Sequence, residues 1–257
     1  MIKAAFFDVD GTLLSHVSKS VPESAVRALE QLRQKGILCV VATGRQITEY
    51  ERLPVGKIPF DGYIMLNGQM LLDGKKQIIS ATELTGYPKE YLTRCYREKT
   101  FPVMVVKRDR IIVNYVDQLV QAVHDSLSSP VPPVGEYDGG PIYQVCAYML
   151  DEDKAHLDPI RGQCVITRWH YGGYDVIAPG GGKVKGIGDF LEANGLKPEE
   201  IIAFGDGEND VDMLRFAGIG VALGNACEDA KKAADYVTAD IDDDGIAKAL
   251  KHFGLID

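Results

Sequence analysis

The chain opens with Met1-Ile2-Lys3-Ala4-Ala5-Phe6-Phe7, and this apolar run leads directly into Asp8-Val9-Asp10-Gly11-Thr12-Leu13-Leu14. A short continuous apolar run fits a strand buried on both faces, as in the middle of a parallel sheet. Two acids and a glycine at its end are the opposite of core material. Side chains two apart on extended backbone point the same way, so Asp8 and Asp10 face one cavity. In open α/β sheets, ligands bind beyond the carboxyl ends of the strands. Any fold of this chain must therefore bury Ala4 to Phe7 and keep the two acids accessible.

The rest of the chain repeats the same grammar. Residues 21–35 carry Val26, Leu29 and Leu32 at helical spacing, with Pro22 near the start and Gly36 at the end. A second buried-type strand over 37–42 stops at Thr43-Gly44-Arg45, and a short helix is expected over 46–52. A third strand, 63–66, ends at Asn67-Gly68, and 70–80 folds back through Asp73-Gly74. From about Thr82 the texture changes. Helices over 88–99 and to about Leu127 alternate with strands at 103–106, 110–116, 142–150, 164–167 and 174–178, and 128–140 reads as a loop. After Pro179-Gly180-Gly181-Gly182 the first pattern returns. A helix over 184–194 and a strand over 201–204 lead to Asp206-Gly207-Glu208-Asn209-Asp210, followed by a helix over 211–216, a strand over 219–222 and helices to the end. This predicts an α/β fold: a doubly wound parallel-sheet (Rossmann-like) core of residues 1–81 and 180–257, with an inserted α+β cap domain of residues 82–179.

Charge narrows the partners. A net charge of −9 argues against nucleic acid or an anionic membrane. No apolar stretch approaches the roughly 20 residues that span a bilayer, and Asp8 arrives too early for a secretory apolar region. The five cysteines are scattered without CxxC spacing, as in a reduced cytoplasmic protein. The sequence sets no oligomeric state. Other motifs fail on inspection. Asp240-x-Asp242-x-Asp244-Gly245 opens like a calcium loop, but Lys251 stands where the loop needs a bidentate Glu. Gly182-Lys183 lacks the first glycine and the Ser/Thr of a phosphate loop.

Polar clusters end four strands: Asp8/Asp10, Thr43/Arg45, Asn67 and Asp206/Asp210. In a parallel sheet these ends share one edge. Acids gathered there repel one another unless a cation joins them, and hard carboxylate oxygens suit Mg²⁺. Lys183 adds a positive charge, while Thr43 and backbone amides near Gly11 and Gly44 offer hydrogen bonds to phosphoryl oxygens. Metal, lysine and oriented donors are the equipment of phosphoryl transfer, with one carboxylate as nucleophile and another as acid and base.

The motifs Asp8 to Leu14 (DVDGTLL), Ala42 to Arg45 (ATGR), Lys183 and Gly205 to Leu214 (GDGENDVDML) resemble the haloacid dehalogenase-like hydrolase superfamily. Residues 217–226 (AGIGVALGNA) and 234–247 narrow the resemblance to the Cof-type branch with a type IIB cap. The resemblance implies a Mg²⁺-dependent phosphatase for a small phosphorylated metabolite, a sugar phosphate or phosphorylated cofactor, working through an aspartyl-phosphate. It makes Asp8 the nucleophile and Asp10 the general acid/base. It gives the metal to Asp8, the Asp10 carbonyl and Asp206, with Asp210 in support. Thr43 and Lys183 would hold the phosphoryl group, with Lys185 as a rival for the lysine. Gly44, Arg45, Asn67 and Asn209 would contact phosphate, metal shell or substrate. The insert would act as a lid, with Trp169, His170, Tyr171 and Tyr174 as candidate pocket residues. A phosphomutase on the same scaffold, or a module that keeps a phosphorylated Asp without turnover, are the alternatives.

Overall fold

The computed structural model describes residues 1–127 and 129–257; Ser128, the first residue of the expected 128–140 loop, lies outside them. The chain divides into two compact units, one of residues 1–80 with 182–257, the other of residues 81–181. Gly182 goes with the first unit, where its amide donates to the Asn67 carbonyl (3.1 Å).

The first unit is built on β1 (Ala4–Phe7), β2 (Leu38–Ala42), β3 (Gly62–Met65), β4 (Met70–Asp73) and β5 (Ile78–Ala81). The sheet continues after the insertion with β11 (Ile201–Gly205), β12 (Ile219–Ala222) and β13 (Tyr236–Val237), in the order β13-β12-β11-β1-β2-β3-β4-β5. Strands β13 to β3 pair in parallel, and β4 returns antiparallel to β3. Strand β1 lies in the middle, as its run of Ala4, Ala5, Phe6 and Phe7, all fully buried, requires. Its side chains alternate between two cores. Phe6 joins Val40, Ile64 and Ala203 on the face covered by Ile187, Phe190 and Leu191 of α5 (Lys183–Asn194) and Met213 of α6 (Val211–Phe216). Phe7 points to the other face and stacks on Phe204, ring centroids 5.0 Å apart. There α1 (Glu23–Gln34) buries Leu29 and Leu32, its Leu29 carbonyl accepting from the Cys39 thiol, and packs against α8 (Gly245–His252). Burying one such phenylalanine contributes roughly 1.5–3 kcal/mol. The expected 46–52 helix is the single turn α2 (Ile47–Tyr50), and α7 is Glu228–Ala233.

The second unit is a five-stranded sheet in the order β7-β6-β8-β10-β9, antiparallel throughout. Its strands are β6 (Val103–Val106), β7 (Ile111–Val113), β8 (Gln144–Ala147), β9 (Val165–His170) and β10 (Gly173–Ile177), with α3 (Gly86–Glu98) and α4 (Gln118–Ser126). Leu92, Cys95 and Tyr96 of α3 close one core over Val103, Val105, Val145, Tyr174 and Val176. Tyr174 is a packing residue here, 1% exposed, with its hydroxyl on Asp151. Trp169 donates its indole N–H to Cys146 Sγ (3.1 Å), and His170 Nε2 meets Ser126 Oγ (3.0 Å). Besides short 3₁₀ turns, the sequence reading misses the 3₁₀ run Asp151–Ile160 and strand β13. Neither is long enough, or regular enough, to print a period. Among the described residues no helix is long and apolar enough to cross a membrane.

Candidate active site

Parallel pairing in register brings the strand ends together. Phe7 lies opposite Val41 and Phe204, so the residues that follow, Asp8, Thr43 and Asp206, leave the sheet at one edge. The Asp8 amide is still held by the Phe204 carbonyl at 3.0 Å. The turn beyond it is tight: the amides of Leu13 and Leu14 both return to the Val9 carbonyl (3.0 and 2.7 Å), and Gly11 donates to Leu14 (2.9 Å). Gly11 has φ +82°, and a Cβ there would lie 2.2 Å from Asp206 Oδ2. Only glycine lets the two acid-bearing turns come this close.

One carboxylate oxygen from each of Asp8, Asp206 and Asp210 lies within 4.8 Å of the others. Lys183, the first residue of α5, donates to Asp8 Oδ1 at 2.5 Å and to Asp210 Oδ1 at 2.6 Å. Its ammonium is buried with them, at 2% exposure for the residue. Asp210 Oδ2 accepts from the amides of Asp206 and Gly207, both at 2.9 Å, which folds the 205–210 loop around its carboxylate. Thr12 Oγ1 donates to Asp206 Oδ1 (2.7 Å). Lys185 is turned away, paired with Asp189 one helical turn on (2.7 Å).

The electrostatics follow from this crowding. Burial pushes the Asp8 pKa well up; Lys183 opposes that, while Asp210, Asp206 and Asp10 add to it. Burial, with Asp210 beside it, raises Asp206 to about 7 against the pull of Thr12. Burial disfavours the Lys183 ammonium, but the charges of Asp210 and Asp8 outweigh it and hold its pKa above the usual lysine value. Three clustered carboxylates, those of Asp8 and Asp210 buried and that of Asp206 half-buried, thus have one lysine among them, paired with the first two. That is a deficit of positive charge in a cradle of hard oxygen atoms, and it fits a divalent ion such as Mg²⁺.

The remaining expected residues ring this cluster. Asp10 points its carboxylate at Arg45, with Nε on Oδ2 and Nη2 on Oδ1, both at 2.7 Å. Burial works against the guanidinium charge, and the Asp10 hydrogen bonds outweigh it and raise the Arg45 pKa. Thr43 is 1% exposed, and its hydroxyl accepts from the Arg45 amide (3.2 Å). Asn67 sits at φ +51° and accepts from Asn209 Nδ2 at 3.1 Å; a Cβ on Gly44 would come 3.1 Å from its amide. The sequence reading did not single out Thr12, although it shares the turn with Asp10. It also gave no role to Asn225 or Ser15, whose partners lie more than 200 residues away. The dropped calcium-like stretch is structural: Asp240 caps its own turn through the Asp242 amide (2.9 Å), and Asp242 accepts from Ser15 (3.0 Å).

A family model for haloacid dehalogenase-like hydrolases matches residues 5–250. The chain belongs to this family. It is similar to YkrA of Bacillus subtilis (strain 168), which bears the general description phosphatase, at 31% identity covering 99% of this chain and 98% of that one. Among solved structures it is similar to BT1666 of Bacteroides thetaiotaomicron, a phosphatase of the same superfamily, with TM-score 0.91 and 35% identity over 100% of this chain and 96% of that one. The subclass IIB sugar phosphatase BT4131 gives TM-score 0.88 and 37% identity over 99% and 100% of the two chains. As a family member the protein is a phosphoric monoester hydrolase with a parallel-sheet α/β core.

Proposed function

We propose that the protein is a Mg²⁺-dependent phosphatase of a small phosphorylated metabolite, a sugar phosphate or a phosphorylated cofactor, and that it works through an aspartyl-phosphate on Asp8. The cluster of Asp8, Asp206 and Asp210, with Lys183 on Asp8 and Asp210, carries this reading. Asp8, the Asp10 carbonyl and Asp206 would hold the metal, with Asp210 supporting. The ion would supply charge for the phosphoryl oxygens and relieve the repulsion among the acids.

In the first step an oxygen of Asp8 attacks phosphorus and the ester P–O bond breaks. The leaving oxygen takes a proton from Asp10. In the second, water attacks phosphorus, Asp10 receives its proton, and the bond between phosphorus and the Asp8 oxygen breaks to free phosphate. Lys183 neutralises charge on the transferring group, and Thr43 and the Gly44 and Arg45 region orient it. Asn67 and Asn209 are assigned to the substrate side. Residues 81–181 are assigned the selection of the leaving group, which suits the 37% identity to a sugar phosphatase.

Phosphate release from a panel of sugar phosphates and phosphorylated cofactors, with and without chelator, tests the proposal. Release that stops on chelation and is abolished in Asp8→Asn supports it. Isomerised product without free phosphate would point instead to a mutase, and release unaffected by chelator would remove the metal.

A further inference from the structure

Asn225 lies in the loop after β12 and has no part in the chemistry above, yet it joins the two turns that carry the acids. Its main chain runs beside the β11 turn: the Leu223 amide donates to the Gly205 carbonyl (3.2 Å) and the Cys227 amide to the Asp206 carbonyl (2.9 Å). Its side chain reaches the other way. Nδ2 donates to the Gly11 carbonyl at 2.8 Å, in the turn that follows Asp8 and Asp10. Oδ1 accepts from the Ile241 amide at 3.0 Å, which fixes the side-chain amide from both ends.

A neighbouring bond from Ser15 to Asp242 (3.0 Å) ties the segment after Asp10 to the 241–242 turn that Asn225 also holds. Between these ties, Gly11 and Asp206 are packed so closely that no Cβ fits. The separation of Asp8 from Asp206 therefore depends on how the Gly11 turn is held against the β11 turn: Thr12 bridges them directly through Asp206 Oδ1 (2.7 Å), and Asn225 ties the Gly11 carbonyl to the chain that runs beside the β11 turn.

We infer that Asn225 is a positioning residue: it sets the spacing of the Asp8 and Asp206 carboxylates for the divalent cation by clamping the Gly11 carbonyl. The inference rests on the metal reading of this cluster. Outer-shell groups that orient ligands typically change metal affinity by 10–100-fold when removed. Because Asn225 is exposed at the surface, removing its amide leaves the buried core intact.

Direct binding of Mn²⁺, followed by electron paramagnetic resonance on the full chain, tests this without relying on turnover. Asn225→Ala should weaken Mn²⁺ about tenfold or more, with thermal unfolding of the metal-free protein close to wild type. Asn225→Asp keeps the size and the acceptor for Ile241 but sets an oxygen against the Gly11 carbonyl, so it should bind at least as poorly. It also decides the matter if the alanine variant does not fold. Wild-type affinity in a folded variant overturns the inference, as does a wild-type protein that binds no Mn²⁺. A wild-type protein that binds Mn²⁺ but hydrolyses no phosphomonoester would sink the phosphatase proposal and leave the binding comparison to judge Asn225.

Discussion

Arg45 grips Asp10 through two parallel hydrogen bonds of 2.7 Å, one to each carboxylate oxygen. Side-by-side pairing of this kind fixes direction as well as distance, and a lysine cannot reproduce it. The group proposed to trade protons with the leaving oxygen is therefore aimed by a residue 35 positions away in the chain. Replacing Arg45 by Lys should lower kcat by roughly 10- to 100-fold, part of the about 10²–10⁴ that acid–base catalysis supplies. The loss should be larger for alkyl phosphates, whose leaving groups need a proton, than for p-nitrophenyl phosphate. Steady-state kinetics on both substrates checks it; equal losses would show that Arg45 does not act through Asp10.

Lys183 is the only cation hydrogen-bonded to the buried carboxylates of Asp8 and Asp210 among the described ion pairs. Lys183→Met keeps most of the side-chain volume but leaves that pair unneutralised. Breaking a buried ion pair by deleting one partner costs about 3–5 kcal/mol. Urea unfolding of the metal-free variant should show a loss of this order, and saturating Mg²⁺ should recover part of it. Lys185→Met, which removes a half-buried pair with Asp189 that is open to solvent on one side, should cost about 1 kcal/mol. Similar losses in the two variants would contradict the placement of charge described here.

How far the site can be read from sequence depends on what carries the information. Asp8, Thr43 and Asp206 could be brought together in advance because each follows a buried apolar strand, and parallel strands end on one side. Lys183 is preferred over Lys185 on the family resemblance and not on spacing. The choice turns on which side chain the first turn of α5 directs toward β1, and helical spacing alone does not report that. The grip of Arg45 on Asp10 and the reach of Asn225 to Gly11 are set by rotamers and loop paths, which leave no period in the chain. Strand β13 was missed for a related reason: two residues, Tyr236 and Val237, carry no alternation.

The second unit holds a buried histidine whose protonation bears on stability. His124 is 6% exposed; its Nε2 meets the Tyr148 hydroxyl at 2.8 Å and its Nδ1 meets Ser129 Oγ at 2.9 Å. Burial, against the pull of Asp125 and with help from His170, lowers its pKa below the usual 6.5. A histidine whose folded pKa is depressed stabilises the fold above the unfolded value. That contribution is lost as pH falls through the folded value, because the unfolded chain then binds the proton first. Wild-type unfolding temperature should thus fall more steeply below about pH 6.5 than that of His124→Phe. Thermal melts between pH 8 and 5 decide it, and parallel curves for the two proteins would remove His124 as the cause.

Two glycines with nearly the same backbone separate conformational strain from close approach. Gly36 has φ +76° and open space around an added Cβ, whereas Gly68, at φ +85°, would place that atom 2.0 Å from the Gly182 carbonyl oxygen. Gly36→Ala should cost only the left-handed penalty of about 1–2 kcal/mol. Gly68→Ala carries the same penalty and must also push Gly182 aside, and Gly182 is the residue before Lys183. Its stability loss should therefore be the larger, and it alone should displace the lysine and abolish phosphate release. Urea unfolding and phosphate release on the two variants test both halves. An active Gly68→Ala enzyme would mean that the Gly68–Gly182 contact does not hold Lys183 in place.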